Sequence, residues 1–257
     1  MKISVTQLAW SDPENALDVL RINDITMIDI VPGKYKDGKE ALDFWSQHGI
    51  EIIGAQSLLY GCSDNMFGSN NEREAIAERL EHVFKLCSAA GATRLTFGSP
   101  KNRDKKDISE IQSKLIAVAF FQRLGDIAKQ YGVTLCLEPN PAIYGCNFMT
   151  TTAEAAEIVL AVDHPNIKLQ LDLGCVTQNQ ENIHEILEQW SNIIGHVHIS
   201  EPYLAALENN KETHAVYAKA LNSYFPDKIA TIEVVNRSED LHLELIESIA
   251  IAKTYYV

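Results

Sequence analysis

The 257-residue chain lacks paired-cysteine spacing, a glycine-rich dinucleotide fingerprint and any long apolar run, and each absence removes a class of protein. Its five cysteines (Cys62, Cys87, Cys136, Cys146, Cys175) are odd in number and none forms a CxxC pair. They read as reduced thiols of a cytoplasmic protein. No apolar stretch approaches the roughly 18 residues of a membrane span. After Met1 and Lys2 the chain enters a short strand without the apolar core and cleavage site of a signal peptide, so a soluble, cytoplasmic protein is expected. Basic residues are few: 22 Lys and Arg stand against 35 Asp and Glu, a formal net charge of -13. Nucleic acid and membrane surfaces require a basic footprint, so neither is the expected partner and a small molecule is. No GxGxxG follows a strand, which removes the dinucleotide crevice of a doubly wound sheet. With no linker, low-complexity tract or repeat, residues 1–257 read as one domain, with homo-oligomerisation left open.

What is present is a regular alternation of short apolar runs and amphipathic ones. Strands are expected at residues 3–9, 27–31, 50–59, 93–97, 133–137, 167–171, 194–199 and 229–234. Helices are expected at 12–22, 38–48, 71–90, 108–131, 151–162, 181–190, 213–223 and 239–253. Several ends carry their own signals: Asp12 with Pro13 at a helix start, Gly49, Gly91 and Gly132 after helix ends, and the capping-box spacing of Thr151 and Glu154. The polar and aromatic segment after the third strand suits a wall or lid. Eight strand–helix pairs in about this length match a single (β/α)₈ TIM barrel. An open sheet is the rival, since alternation alone does not prove closure.

Four strands end in groups that an apolar run does not need. Leu135–Pro141 delivers Glu138, IKLQLDLG delivers Asp172, GHVHIS delivers His198 and IATIEVV delivers Glu233. A buried carboxylate costs free energy unless it is paired or bound to a cation. Three acids and an imidazole at one end of a sheet form an oxygen and nitrogen set for one divalent metal. Each has a plainer reading. Glu138 could be salt-bridged, Asp172 before Leu173-Gly174 could cap a turn, and Glu233 could pair with Arg237. His196 shares its strand and face with His198, so one of the two could be a core histidine.

Substrate contacts must come from loops. Lys101 and Arg103 in SPKNR could clamp a phosphate or carboxylate, or belong to a solvated charged loop with Lys105 and Lys106. Gln56, Ser57, Tyr60 and Asn140 are candidates for sugar hydroxyls. His214 and Arg237 lie beyond the seventh and eighth strands and could complete a cup. Cys175 is either a site neighbour or a small packing residue, and Trp10 either covers a sugar face or packs under the first helix.

The ordered strand ends LEPNP, LDLGC, HVHISEP and IEVV, with LTFGSPKNR and GAQSLLYG before them, resemble the xylose isomerase-like TIM barrels of the sugar phosphate isomerase/epimerase superfamily. The likeness runs over nearly the whole chain. It implies that Glu138, Asp172, His198 and Glu233 bind one divalent ion (Mn²⁺, Mg²⁺, Co²⁺ or Zn²⁺). It also implies that Glu138 and Glu233 act as an acid/base pair on a sugar or sugar-like substrate. Two positions depart from the pattern: Cys175 stands where many members carry a histidine, and EPYLAAL lacks the arginine of ketose 3-epimerases. The three-metal nuclease branch is disfavoured, because Gln56, Gly98 or Ser99, and Cys175 occupy positions where it needs histidines. The resulting expectation is a metal-dependent sugar, sugar-phosphate or polyol isomerase or epimerase working through an enediolate. An inosose-type dehydratase and a non-catalytic sugar- or partner-binding barrel are the alternatives.

Overall fold

A computed structural model of the chain describes residues 1–9, 13–237 and 242–257. The elements run β1 (Lys2–Thr6), α1 (Pro13–Ile22), β2 (Met27–Ile30), α2 (Gly38–Gln47), β3 (Glu51–Ala55), α3 (Asn70–Ala90), β4 (Arg94–Phe97), α4 (Glu110–Gln130) and β5 (Thr134–Leu137). They continue with α5 (Thr152–Val162), β6 (Ile167–Asp172), α6 (Leu173–Gln178), α7 (Ile183–Trp190), β7 (Ile194–Ser200), α8 (Lys211–Tyr224), β8 (Ile229–Glu233) and α9 (Leu243–Tyr255). The strands pair in sequence order, all parallel, and β1 closes onto β8 through Val5 and Ile232. The chain is therefore a single (β/α)₈ barrel, and the open-sheet rival is excluded. The expected cap Asp12 and the residue Trp10 lie outside the described residues.

Each strand divides its side chains by alternation. Val5, Ile28, Leu95, Leu135, Leu169, Val197 and Ile232 are buried apolar residues of the layer between sheet and helices. The neighbours of several of them are buried polar groups: Thr6, Asp29, Thr96, Gln170, His196, His198 and Thr231. Two contacts prove that these face the lumen, because they join strands that are not adjacent. The Thr96 hydroxyl donates across to Gln170 Oε1 at 3.3 Å, and His196 Nε2 meets Asp29 Oδ2 at 2.9 Å. Bulky branched side chains usually fill such a lumen. Here it is a polar column, part of it hydrogen-bonded within the lumen and part of it, including the Thr6 hydroxyl and both His198 nitrogens, without a hydrogen-bond partner.

Glycine makes one of these contacts possible. Gly54 pairs in register with Asp29, and a Cβ at position 54 would lie 2.6 Å from Asp29 Oδ1.

Helix starts follow the sequence signals. Thr151 accepts from Glu154 N, and the Glu154 carboxylate reaches back to Thr150 N. A full capping box at Ser69 and Glu72 begins α3. The segment after β3, expected as a wall or lid, packs onto the barrel. Leu58, Leu59, Met66 and Phe67 of that segment are buried. Phe67 packs edge-on against Phe148 with centroids 4.8 Å apart. Its polar letters conceal an apolar underside that the barrel covers. Among the described residues no helix is long and apolar enough to cross a membrane.

Candidate metal centre

Strand register sets the four polar ends level. Asp172 is the register partner of His198, and Ser200 is that of Glu233, so the ends of β6, β7 and β8 stand side by side. Glu138 is the first residue after β5, and its N–H still donates to Phe97 O at 3.0 Å. Gly98 leaves room for it, since a Cβ there would meet Glu138 Oε2 at 2.6 Å.

The four side chains converge on one point. His198 Nδ1 lies 3.3 Å from Glu138 Oε1, 3.2 Å from Glu233 Oε2 and 4.0 Å from Asp172 Oδ2. All four residues are buried, and their ligand atoms lie within 4.8 Å of one another. Donors bound to one divalent ion at about 2.0–2.2 Å sit about 3.0–4.2 Å apart, and the three distances from His198 Nδ1 fall in that range. Glu138 Oε1 and both His198 nitrogens have no hydrogen-bond partner. Three acids around one imidazole with orphaned atoms fit a cation. Asp172 is fixed at both oxygens: Oδ1 accepts from Cys175 N at 2.6 Å, and Oδ2 accepts from the Ser200 hydroxyl at 2.7 Å. It caps the short helix α6 as well as facing the centre, so the two readings of Asp172 coexist.

Below the centre lies a second group, of which the sequence analysis singles out the two histidines but not Asp29. Asp29 on β2 holds His196 at 2.9 Å and stands 3.8 Å from His198 Nε2. The Thr231 hydroxyl is 3.2 Å from the same His196 nitrogen. Asp29, His196 and His198 also lie close enough to hold a metal ion. We read them as a support, because the Asp29–His196 contact is already closed by a hydrogen bond. Of the two histidines, His198 thus turns Nδ1 to the acids and Nε2 to Asp29, while His196 is the core histidine. Burial raises the Asp29 carboxyl, but His196 and His198 outweigh it and bring it to about 2. It is an anion, and its charge 3.8 Å from His198 Nε2 favours the proton on that nitrogen.

Burial pulls the His198 imidazole down, yet Glu233, Asp29 and Glu138 together hold it well above the usual histidine range. Asp172 and His196 complete its surroundings. A metal ligand must be the neutral ring. A raised value means that the metal-free protein carries this proton at neutral pH, so cation binding should expel it. Apparent affinity should then rise about tenfold per pH unit until the raised value is passed. Calorimetric titration of Mn²⁺ in two buffers of different ionisation heat reads the released proton directly; identical heats would show that none leaves.

A cavity of about 340 Å³ opens above the centre. Of the expected substrate contacts, Asn140, Cys175 and Arg237 line it, together with Glu201, Tyr144, Tyr203 and Leu204. Gln56 is buried at the β3 exit and Lys101 is exposed, and neither lines the cavity. The Cys175 thiol donates to Pro139 O at 3.0 Å, and burial first and Asp172 second push it well above its ordinary range. It is a neutral wall group.

Two expectations are corrected. His214 does not reach the cavity: it is buried behind Glu201, with Nε2 2.9 Å from Glu201 Oε1 and Nδ1 2.7 Å from the Tyr256 hydroxyl. Arg103 is neither a phosphate clamp nor part of a solvated loop. It is fully buried and donates to Glu138 O and Asn140 Oδ1, each at 2.8 Å. It is a strut under the loop that carries Glu138. Arg103→Met should leave both acceptors unpartnered; at about 1.5–3 kcal/mol per charge-assisted bond, urea unfolding should report a loss of about 3 kcal/mol or more. A change below about 1 kcal/mol would remove this role.

The cavity rim is strained. Tyr203 and Leu204 are consecutive non-glycine residues at positive φ, 60° and 55°. Such a conformation costs about 1–3 kcal/mol per residue and persists only where neighbours over-determine it. Here they do. Leu204 N donates to Glu201 O at 2.9 Å and Val235 N donates to Leu204 O at 3.0 Å. Tyr203 N donates to the Tyr144 hydroxyl at 3.0 Å, and the Arg237 guanidinium donates to the carbonyls of Tyr203 and Leu204. The Arg237–Glu233 pair, the plainer reading of Glu233, is not among these contacts.

The family model described as xylose isomerase-like TIM barrel matches residues 19–225. No curated protein matches the sequence. Solved structures share the fold at low identity. Escherichia coli 3-keto-D-glucoside 4-epimerase YcjR is 16% identical, with 99% of each chain covered and a TM-score of 0.78. A D-psicose 3-epimerase crystallised in the presence of D-fructose is 14% identical, covering 100% of this chain and 99% of its own, with a TM-score of 0.81. The IolI protein with a bound zinc atom is 20% identical, covering 99% and 96%, with a TM-score of 0.71.

Proposed function

Because the chain belongs to the xylose isomerase-like TIM barrel family, we propose that it is a divalent-metal-dependent sugar isomerase or epimerase that moves a proton on a carbon beside a carbonyl. The observation that carries this reading is the convergence of Glu138, Glu233 and Asp172 on His198 Nδ1 at 3.3, 3.2 and 4.0 Å. Those four residues would hold the ion, which when bound polarises a substrate carbonyl and so acidifies the neighbouring C–H. The sugar epimerases and the zinc-bound IolI among the structural relatives support the same class.

The side chains divide the labour by how firmly they are held. Asp172 has both oxygens occupied by Cys175 N and Ser200, so it is a fixed ligand and a poor base. Glu138 Oε1 has no hydrogen-bond partner, and Asn140 Nδ2 approaches its other oxygen at 3.5 Å. Glu138 and Glu233 come from β5 and β8, with β6 and β7 between them, so they flank the place where the reacting carbon must sit. One takes the α proton, leaving an enediolate, and the other returns a proton. Return to the opposite face of the same carbon inverts it; return to the adjacent carbon, with the hydroxyl proton passing from one oxygen to the other, interconverts aldose and ketose.

Elemental analysis of the purified protein, combined with a solvent-deuterium exchange screen over ketoses, keto-acids and inososes, tests the reading. One equivalent of a divalent metal and metal-dependent exchange are expected. Full exchange activity in metal-free protein, or no exchange from any member of the panel at saturating Mn²⁺, would refute it.

A further inference from the structure

Resting on the reading above, the geometry points to a substrate that carries a ring or apolar group beyond its reactive sugar, and we propose that Tyr144 and Tyr203 form the subsite for it. The cavity lining holds two unlike groups of residues. Glu138, Asp172 and Glu233 are polar and anionic. Tyr144, Gly174, Cys175, Tyr203 and Leu204 make a second wall group, and Asn140, Glu201 and Arg237 complete the lining.

The polar atoms of that second wall are largely spent inside the protein. The Tyr144 hydroxyl accepts from Tyr203 N at 3.0 Å, and the Cys175 thiol donates to Pro139 O at 3.0 Å. The carbonyls of Tyr203 and Leu204 are taken by Arg237. An open-chain sugar laid along this wall would give up water from its hydroxyls and recover few partners. The C–H face of a second sugar ring, or an aromatic aglycone, gives up little there and gains contact with the rings. Tyr203 is 56% exposed, and its ring meets that of Tyr144 edge-on, with centroids 5.2 Å apart at 76°. That edge is open to a ligand at the cavity rim. The positive φ at Tyr203 and Leu204 and the ties from the β5 and β8 exits hold it at the cavity mouth.

The test compares two simple probes, phenyl β-D-glucoside and methyl β-D-glucoside, by calorimetric titration into the Mn²⁺-loaded protein. The phenyl glucoside should bind at least about tenfold more tightly. Tyr203→Ala should abolish that preference, and Tyr203→Phe should keep it, since the ring and not the hydroxyl makes the contact. Equal affinities for the two probes, no binding of either, or a preference that survives Tyr203→Ala would overturn the inference. Its failure is separable from that of the proposed reaction. Metal-dependent deuterium exchange without a phenyl preference sinks the subsite alone, whereas a phenyl preference without exchange from any ketose sinks the reaction alone.

Discussion

Replacing Glu233 with glutamine should lower solvent-deuterium exchange by about 10²–10⁴-fold, the usual contribution of a positioned acid or base. The amide keeps the shape of the side chain and a carbonyl oxygen, but it cannot accept a proton at neutral pH. Glu138→Gln should fall by a comparable factor, because a reaction that inverts a carbon needs a proton acceptor on one face and a donor on the other. Both substitutions also remove a charge from the cluster around His198 Nδ1. Exchange must therefore be measured at saturating Mn²⁺, with the bound metal counted in the same sample. A metal-loaded Glu233→Gln protein that exchanges at the parent rate would remove Glu233 from the reaction.

The second large effect is expected from a residue with no place in the cavity. Asp29→Asn should weaken metal binding by about 10–100-fold, the range found when the group orienting a ligating histidine is lost. The Asp29 carboxylate stands 2.9 Å from His196 Nε2 and 3.8 Å from His198 Nε2, and asparagine offers neither its charge nor a second equivalent oxygen. Competition against a fluorescent chelator measures the affinity. A merely structural loss would lower the urea midpoint of the metal-free protein and leave the affinity of the folded fraction alone. The expected result is the reverse weighting, and an unchanged affinity would show that His198 needs no such partner.

The reasons these residues were or were not legible in the sequence are physical. Glu138, Asp172, His198 and Glu233 stood out because an ionisable group at the end of a β-branched run must be explained. The structure brings all four together. Asp29 sends the same signal inside MIDIV, but its strand carries no second polar landmark, and the partner that explains it lies 167 residues away. Arg103 was concealed by composition. It stands among Lys101, Lys105 and Lys106, and only the carbonyl of Glu138 and the amide of Asn140 make it a buried residue. Helix α6 spans six residues, too few to show a period, although Asp172 was already recognised as a potential cap. The aromatic rim was illegible for a different reason. Tyr144 and Tyr203 are 59 positions apart, and backbone strain at Tyr203 leaves no trace in residue type.

The cluster stands on strand ends locked by register, whereas Tyr144, Tyr203 and Arg237 stand on loops tied to one another. Inheritance can act on the two separately. Replacements at Tyr144, Tyr203 and Leu204 would change what the protein accepts without disturbing its chemistry, because their hydrogen bonds run to one another, to Glu201, to Val235 and to Arg237 and not to the four cluster residues. Directed evolution toward new sugars should accordingly begin at Tyr144, Tyr203 and Leu204, and libraries that touch Gly54, Gly98 or Asp29 should yield mostly inactive clones.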